Sequence, residues 1–497
     1  MSKAKCIMVQ GTMSGAGKSL LCTALCRIFA QDGYKVAPFK SQNMALNSFV
    51  TRDGLEMGRA QVVQAQAAGV EPDVRMNPIL LKPSSDVGSQ VIVNGEVRGD
   101  MPAREYFRHK KELIPDILRA YESLAQENDI LVIEGAGSPA EINLKADDIV
   151  NMGLAKLVDA PVLLVGDIDR GGVFAQLYGT VALLDEDERA RICGLVINKF
   201  RGDVEILRPG LAMLEQKTNL PVLGVVPYTR ADIEDEDSLS ERLQSSKAVK
   251  PLDIAVVRLP HISNFTDFIP LEQHPLLGVR YVQNVRELGT PDLVILPGTK
   301  NTVDDLLWLR QSGLEAAVQK LAKRGTPILG VCGGYQMLGC TLDDTLGSES
   351  GHPQTLRGLG LLPTNTVFTA EKRRAQVTAM TCDPLAGAAL TGYEIHTGRT
   401  NVRGAPFCTL ADGTPEGCVQ GNVFGTYLHG LFDSGELTEK LAGFLCERKG
   451  LAPETAEPIS MEKYRRQQFD LLADSVRAAL DMRAVYAAMG IEEEEHV

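Results

Sequence analysis

The sequence predicts an α/β fold built from two doubly wound domains, and two observations support this fold class. First, a series of short apolar runs is typical of strands that are buried on both faces, as in parallel sheets. Second, several of these runs end in glycine or acidic residues, which places polar groups along the carboxyl edge of a sheet, where ligands of open α/β sheets bind. The predicted N-terminal domain has a mostly parallel sheet, and a new series of strands begins at residue 254.

The composition is that of a globular protein with room for more than one core. The 497 residues are 44% hydrophobic and 23% charged, and the formal net charge is -13. This acidic balance argues against a general binder of nucleic acid or of acidic membranes, because the protein would repel phosphate groups. The apolar run within residues 1–9 is too short for a signal peptide or a membrane span, and the ten cysteines show no paired spacing. We therefore expect a cytoplasmic protein with reduced thiols.

A change of composition marks the predicted boundary between the two domains. Residues 230–250 are rich in charge and serine and lack apolar periodicity, which is typical of a linker. The prediction is a first domain over 1–235, a linker over 236–250, a second domain over 251–440 and a helical C-terminal segment over 441–497. Within that last segment Leu472, Val476 and Leu480 recur at a spacing of four and predict a helix face that packs.

The first chemical signature is a glycine-rich loop between a strand and a helix. An apolar strand over 5–10 leads into the loop, and an apolar-periodic helix follows it. Glycines allow backbone N–H groups to face phosphate oxygens, Lys18 supplies a mobile positive charge, and the Ser19 hydroxyl can bind Mg2+. The residues predicted to bind a nucleotide are Gly11, Thr12, Ser14, Gly15, Gly17, Lys18 and Ser19. Five residues rather than the usual four separate Gly11 from Gly17, and this variant resembles the dethiobiotin-synthetase-like branch of P-loop proteins.

Two acidic residues are candidate metal ligands beside Ser19. Glu134 follows a buried strand over 129–133, at the carboxyl edge of the predicted sheet, where a carboxylate could order Mg2+ or its water shell. Asp53 is the second candidate, although a lone acidic residue is usually a solvated surface group. The predicted metal site therefore comprises Ser19, Asp53 and Glu134.

The second signature is a cysteine in a tight turn between a strand and a helix. The buried strand 327–331 runs directly into Cys332, in the pattern GxCxGxQ of a nucleophile elbow. Small neighbours permit the strained turn that exposes the sulfur, and the start of the following helix favours a thiolate. The Gly333 N–H group is then available to an oxyanion. Gly298, in a glycine loop after the strand 293–296, could supply the second oxyanion donor.

A cysteine nucleophile needs a base, and two of the seven histidines are candidates. His429 lies in a glycine-flanked turn after a short strand, late in the second domain, and is the preferred choice. His396 is the alternative, because alternation along a strand would put it on the same face as Glu394.

Together these motifs make the chain similar to the cobyric acid synthase family, glutamine-dependent amidotransferases of cobalamin biosynthesis, over essentially its whole length. The runs 40–48 and 167–174 are much more particular to this family than the glycine loop or the elbow, which many families share. The motifs that carry the resemblance are residues 10–19, 40–48, 134–142, 167–174, the Cys332 elbow, 393–399 and 426–432.

The resemblance implies amidation of four peripheral carboxylates of adenosylated cobyrinic acid a,c-diamide, with ATP and glutamine consumed at each. ATP would phosphorylate the carboxylate, and ammonia released from glutamine at Cys332 would displace the phosphate. The expected partners are ATP, glutamine and a corrinoid substrate, with Mg2+ accompanying ATP and no tightly bound organic cofactor. The resemblance supports Asp53 as a metal ligand and suggests Lys40, Asn43 and Asp148 as substrate-binding residues, although Asp148 could equally cap a helix.

One departure concerns the group that orients His429. Class I glutaminases usually carry a glutamate two residues after the catalytic histidine, whereas this chain has Leu431. Glu394 and Asp433 are the candidates for the orienting role.

Two other functions stay open. One is another ligase of this branch, such as cobyrinic acid a,c-diamide synthase or a cell-wall amidotransferase, which the run 40–48 argues against. The other is a P-loop switch of the partitioning type, which dimerises on ATP. That function would leave Cys332 and the Gly298 loop without a role.

Overall fold

The chain divides into two compact units. The computed structural model describes residues 4–85, 88–234, 243, 250–349, 351–452 and 460–492. The first unit comprises 1–45, 56–234 and 465–497, and the second comprises 46–55 and 235–464. This division differs in two places from the boundaries predicted above, because the second unit includes the short segment 46–55 and the first includes the C-terminal helices. The predicted linker 236–250 lies almost entirely outside the described residues.

A six-stranded parallel sheet forms the centre of the first unit. Apart from the edge strand over 222–227, its strands are mostly buried, which explains the continuous apolar runs in the sequence. In spatial order they are Val222–Pro227, Ile192–Phe200, Val162–Asp167, Lys5–Gly11, Ile130–Glu134 and Val36–Phe39. The helices are Lys18–Gln31, Arg59–Ala68, Ala103–His109, Ile114–Glu127, Met152–Val158, Val173–Leu183, Glu186–Arg189 and Val204–Thr218. Smaller strands are Gln42–Met44, Glu56–Gly58, Ile79–Ser85, Gly88–Val93 and Glu96–Pro102.

The C-terminal helices Met461–Ala479 and Met482–Ala488 complete the core of the first unit. The predicted face of Leu472, Val476 and Leu480 is buried in the same cluster as the central strands and the first helix, so this prediction is confirmed. A buried ion cluster also holds this region, because the Glu234 carboxylate accepts hydrogen bonds from Arg59 at 2.9 Å and from Arg465 at 2.6 Å.

The second unit contains a six-stranded sheet of five parallel strands and one antiparallel edge strand. In spatial order these are Leu277–Val282, Leu252–Val257, Leu293–Leu296, Ile328–Val331, Val423–Thr426 and Cys418–Gln420. The helices are Ile269–Gln273, Val285–Leu288, Thr302–Gln311, Leu314–Lys323, Gly333–Leu338 and Glu436–Lys449. The predicted α/β class with two domains is confirmed.

A second sheet of the same unit is dominated by a long hairpin, Thr364–Thr381 with Ala389–Val402, whose second strand pairs with Leu428–His429. The remaining strands of this unit are Ser48–Val50, Thr341–Asp344, Gln354–Arg357, Cys408–Leu410 and Pro415–Glu416. Across the described ranges of both units, every helix is too short or too polar to cross a membrane.

Candidate active sites

The glycine loop lies between the strand Lys5–Gly11 and the helix Lys18–Gln31, as predicted. Gly15 and Gly17 adopt the left-handed conformation, with φ of 76° and 94°. A Cβ atom on Gly17 would also lie 2.0 Å from the Asn198 amide nitrogen. Glycine is therefore required at position 17 both by backbone conformation and by packing.

Two lysines place positive charge at this loop. The Lys18 ammonium donates hydrogen bonds to the carbonyl oxygens of Met13 and Gly137, at 3.1 and 3.0 Å. Burial lowers the pKa of Lys18, an effect that the neighbouring Glu134 opposes. Lys199, which belongs to no predicted motif, donates to the Gly15 carbonyl at 2.6 Å and is paired with the Asp167 carboxylate at 2.9 Å. A phosphate group in the loop would thus meet two ammonium groups as well as backbone N–H donors.

Glu134 is the centre of a buried polar cluster. Its Oε1 atom accepts hydrogen bonds from Ser19 Oγ and from Lys40 Nζ, both at 2.8 Å, and its Oε2 atom accepts from Gln64 Nε2 at 2.6 Å. Burial favours the neutral acid, but the charge of Lys40 and these hydrogen bonds lower the pKa of Glu134. Ser19, Lys40 and Glu134 are therefore brought together, and Gln64 is a member that no motif indicated.

The other predicted residues of the first half are placed as follows. Asn43 donates to the side-chain oxygen of Gln61 at 3.2 Å, and Thr12 donates to that of Gln176 at 3.1 Å. Ser14 and Asp53 are exposed. Asp53 belongs to the segment 46–55 of the second unit, so its role as a metal ligand stays a prediction.

Asp148 shows a clear structural role. Its carboxylate accepts hydrogen bonds from the backbone N–H groups of Val150, Asn151 and Gly153, at 2.8 to 2.9 Å. Of these donors Gly153 lies in the first turn of the helix Met152–Val158, whose N-cap residue is Asn151, so Asp148 fixes the segment that enters the helix without being its N-cap. Its contact with a substrate stays a prediction.

The cysteine of the second half occupies a strained turn. Cys332 has φ 51° and ψ -109° between the strand Ile328–Val331 and the helix Gly333–Leu338. A Cβ atom on Gly334 would lie 1.9 Å from the Leu296 carbonyl oxygen, so this neighbour must be glycine. Cys332 is largely buried, and its sulfur lies 3.6 Å from the Ile395 carbonyl oxygen. This is the nucleophile elbow that the motif predicts.

His429 is hydrogen-bonded to a buried carboxylate. Its Nδ1 atom lies 2.6 Å from Oδ2 of Asp267, whose Oδ1 atom accepts from the Gly430 N–H group at 3.0 Å. Burial opposes protonation of the ring, but the charge and hydrogen bond of Asp267, with a smaller contribution from Cys332, raise the pKa of His429 to about 10. Cys332, His429 and Asp267 are therefore brought together, as a nucleophile, a base and an orienting acid would be, and these catalytic roles stay predictions.

Asp267 corrects the sequence-based candidates for the orienting group. Glu394 is paired with Arg373, and the His429 Nδ1 atom, for which Asp433 was the other candidate partner, is hydrogen-bonded to Asp267. Asp267 precedes His429 by 162 positions, in a short 3-10 helix over Phe265–Phe268. A search near the histidine in sequence could not find it.

The alternative histidine, His396, is hydrogen-bonded to a backbone carbonyl rather than to a carboxylate. Its Nδ1 atom hydrogen-bonds to the Gly398 carbonyl oxygen at 2.8 Å, and its ring stacks on Tyr427 at 3.7 Å. Burial lowers the pKa of His396 to about 4. His429, whose pKa is raised, is therefore better suited than His396 to accept a proton from cysteine.

The predicted oxyanion donors border this triad. A Cβ atom on Gly298 would lie 3.1 Å from Cε1 of His429, and one on Gly333 would lie 2.6 Å from Cγ2 of Thr299. The Gly298 carbonyl accepts a hydrogen bond from the Ser263 N–H group at 2.9 Å, which holds the loop in place. Gly298 and Gly333 thus lie at the elbow, and their role as oxyanion donors stays a prediction.

Comparison with known proteins defines the class to which these two sites belong. Residues 7–240 match the CobQ/CobB/MinD/ParA nucleotide binding domain, and residues 253–437 match the CobB/CobQ-like glutamine amidotransferase domain. The chain is therefore a glutamine amidotransferase joined to a nucleotide-binding P-loop domain.

Full-length relatives give the particular family. The chain is 57% identical to the cobyric acid synthase of Lachnoclostridium phytofermentans, over 98% of this chain and 99% of the relative. It is 56% identical to that of Ruminiclostridium cellulolyticum, over 98% of each chain, and 53% identical to that of Streptococcus sanguinis, over 98% and 99%. The chain belongs to the cobyric acid synthase family.

Proposed function

We propose that this protein amidates four peripheral carboxylates of adenosylcobyrinic acid a,c-diamide, using ATP to activate each acid and glutamine as the nitrogen source. The observation that carries the proposal is the Cys332–His429–Asp267 arrangement in a chain that also holds a phosphate loop. The relatives that match over their full length are named cobyric acid synthase, which supports a corrinoid as the acceptor of nitrogen. ATP, glutamine and the corrinoid are all substrates, so the scheme needs no resident organic cofactor.

Glutamine is hydrolysed at the elbow. Cys332 Sγ attacks the side-chain amide carbon, and the N–H groups of Gly298 and Gly333 stabilise the oxyanion that forms. Asp267 holds Nδ1 of His429, whose Nε2 atom carries the proton drawn from the Cys332 thiol, in keeping with the raised pKa of this ring, and delivers it to the amide nitrogen, which departs as ammonia. Water then attacks the thioester and releases glutamate.

The acceptor carboxylate is activated at the glycine loop. A carboxylate is a poor acyl donor because oxide would have to leave, so the γ-phosphoryl group of ATP is first transferred to it. The Lys18 ammonium exchanges its two carbonyl partners for phosphate oxygens. Ammonia then attacks the acyl phosphate, the amide forms, and phosphate leaves.

Ser19 and Glu134 fit a Mg2+ ion that accompanies ATP. Their oxygens lie 2.8 Å apart at the start of the helix, and hydroxyl and carboxylate oxygens are ligands that Mg2+ accepts beside phosphate. Bound there, the ion would neutralise charge on the triphosphate. Asp53 is the further proposed ligand, and Lys40, Asn43 and Asp148 are the proposed acceptor-binding residues. Within the described ranges, no three His, Cys, Asp or Glu side chains cluster to hold a metal ion.

The Cys332→Ser variant tests the division of labour between the two sites. We expect it to lose amidation with glutamine while ATP-dependent amidation with added ammonia persists, as read from product masses. Cys340→Ser, a change at an exposed cysteine, serves as the matched control. Equal loss with both nitrogen sources in a folded Cys332→Ser protein would overturn the proposal.

A further inference from the structure

The segment 46–55 connects two parts of the first unit but packs with the second. Just before it, the Ala45 N–H group donates to the Leu81 carbonyl at 3.1 Å. Just after it, the buried Glu56 carboxylate pairs with Lys82 at 2.8 Å. Both ends of the segment are thus anchored in the unit that carries the glycine loop.

The middle of the segment contacts the loop that carries Asp267. The Asn47 side-chain oxygen accepts a hydrogen bond from the Asn264 N–H group at 2.6 Å. The Ser48 N–H group donates to the Asn264 side-chain oxygen at 3.4 Å. Asn264 has φ 53° and caps the 3-10 helix of Asp267, whose N–H group donates to the Asn264 carbonyl at 3.0 Å. A shift of Asn47 would therefore move the helix that positions Asp267.

The same segment also holds the aromatic ring beside His429. The Tyr393 hydroxyl donates to the Ser48 carbonyl at 3.1 Å and accepts from the Asn264 side-chain nitrogen at 3.2 Å. The Tyr393 ring lies against His429 with centroids 5.4 Å apart, and it packs edge-on against Phe49. The segment 46–55 therefore supports both members of the His429–Asp267 pair, His429 through Tyr393 and Asp267 through Asn264.

Ser263, the neighbour of Asn264, links the same region to the loop that carries Gly298. Its N–H group donates to the Gly298 carbonyl at 2.9 Å, one residue from Asn264. A displacement of this loop would change the base and one oxyanion donor together. Since such groups must be placed to within about half an ångström for full activity, small movements would suffice.

We propose that the segment 46–55 couples the ligase site to glutamine hydrolysis, with Asn47 as the positioning residue that sets Asn264 and hence Asp267. This rests on the proposed function, in which Lys40 and Asn43 bind the acceptor and Asp53 joins Mg·ATP. These groups lie on either side of Asn47 along the chain. Binding of the acceptor and of Mg·ATP at these residues would shift the segment 46–55. The shift would reach Asp267 through Asn264, and it would reach His429 through Tyr393. Glutamine would then be hydrolysed mainly when an acceptor is ready.

The test measures glutamate release by the full-length enzyme with and without Mg·ATP and the corrinoid acceptor. We expect their addition to raise kcat at least about fivefold in the wild type, the lower end of common coupling effects. Asn47→Ala removes the acceptor of the Asn264 N–H bond and should bring this ratio to about one. Asn401→Ala, at an exposed asparagine of the same unit, should keep the wild-type ratio.

Two further variants separate positioning from general damage. Asn47→Asp retains an oxygen acceptor and should restore the response, and Tyr393→Phe keeps the ring on His429 but should weaken the response. Ammonia-supported amidation should stay unchanged in all variants. The idea is overturned if wild-type hydrolysis does not respond to Mg·ATP and acceptor, if Asn47→Ala responds normally, or if Asn47→Asp fails like Asn47→Ala. A wild type that releases no glutamate at all would instead refute the proposed function.

Discussion

The two candidate sites differ in how their charged groups are satisfied. In the first unit Glu134 is bonded to Ser19 and Lys40, and Lys18 is bonded to backbone carbonyls. These groups must exchange a partner within the protein for a ligand. In the second unit Asp267 already holds His429 beside the strained Cys332. The hydrolytic site is therefore arranged before its substrate arrives, whereas the nucleotide site is completed by its ligands.

The largest effect that would sharpen this comparison concerns Asp267. Asp267→Asn leaves the shape of the site but no longer favours the tautomer in which His429 Nδ1 carries the proton. We expect kcat/KM for glutamine to fall roughly 10³- to 10⁴-fold, as it does in other catalytic triads when the acid is replaced by its amide. Ammonia-supported amidation should stay unchanged. Glu394→Gln is the matched control, because Glu394 is paired with Arg373. A similar loss in both variants would contradict the assignment of the orienting role.

The complementary change is Lys18→Met in the first unit. Without this ammonium the developing charge on the phosphates loses a fixed partner, and we expect amidation to fall about 10²- to 10³-fold with either nitrogen source. Basal glutamate release should persist. Lys217→Met, at an exposed lysine, is the control. Retention of ammonia-supported amidation by Lys18→Met would show that the acceptor carboxylate is not activated at this loop.

A change remote from both sites tests how the chain's end stabilises the first unit. Burial opposes the charge of Glu234, but Arg59 and Arg465 lower the pKa of this carboxyl to about 2. Glu234→Gln leaves two buried guanidinium groups without their counter-charge, and we expect a loss of about 3 kcal/mol in the free energy of unfolding. Circular dichroism during denaturation measures it, with Glu462→Gln on the surface of the C-terminal helix as control. Equal stability of the two variants would contradict this account.

A further expected effect is a pH dependence of stability in the second unit. The pKa of His429 is raised from 6.5 to about 10 in the folded protein. The folded state therefore binds the proton more tightly, and its stabilisation is complete below pH 6.5 and lost as the pH rises toward 10. The single tryptophan, Trp308, lies in this unit, so its fluorescence reports the unfolding transition. Asp267→Asn should reduce the fall in the free energy of unfolding between pH 6.5 and 10. An unchanged fall would contradict the pairing of His429 with Asp267.

The parts of each site that are local in sequence were predictable. The glycine loop and the Cys332 elbow are runs of adjacent residues whose backbone conformation depends on glycine, and both are found where predicted. Glu134 was predictable because a strand end defines its position in a parallel sheet. Gln64 was not, since it is one polar residue on a helix without a motif.

The amino-acid sequence alone determined the α/β class and the two chemical signatures, and it favoured His429 over His396, because apolar periodicity and short glycine motifs act over a few residues. Only the tertiary structure decided that Asp267 orients His429, that 46–55 packs on the glutaminase loop, and that the C-terminal helices return to the first unit. Each of these depends on contacts between residues far apart in the chain. Such contacts are selected by packing and by the pairing of buried charges, which leave no periodic signal in one sequence.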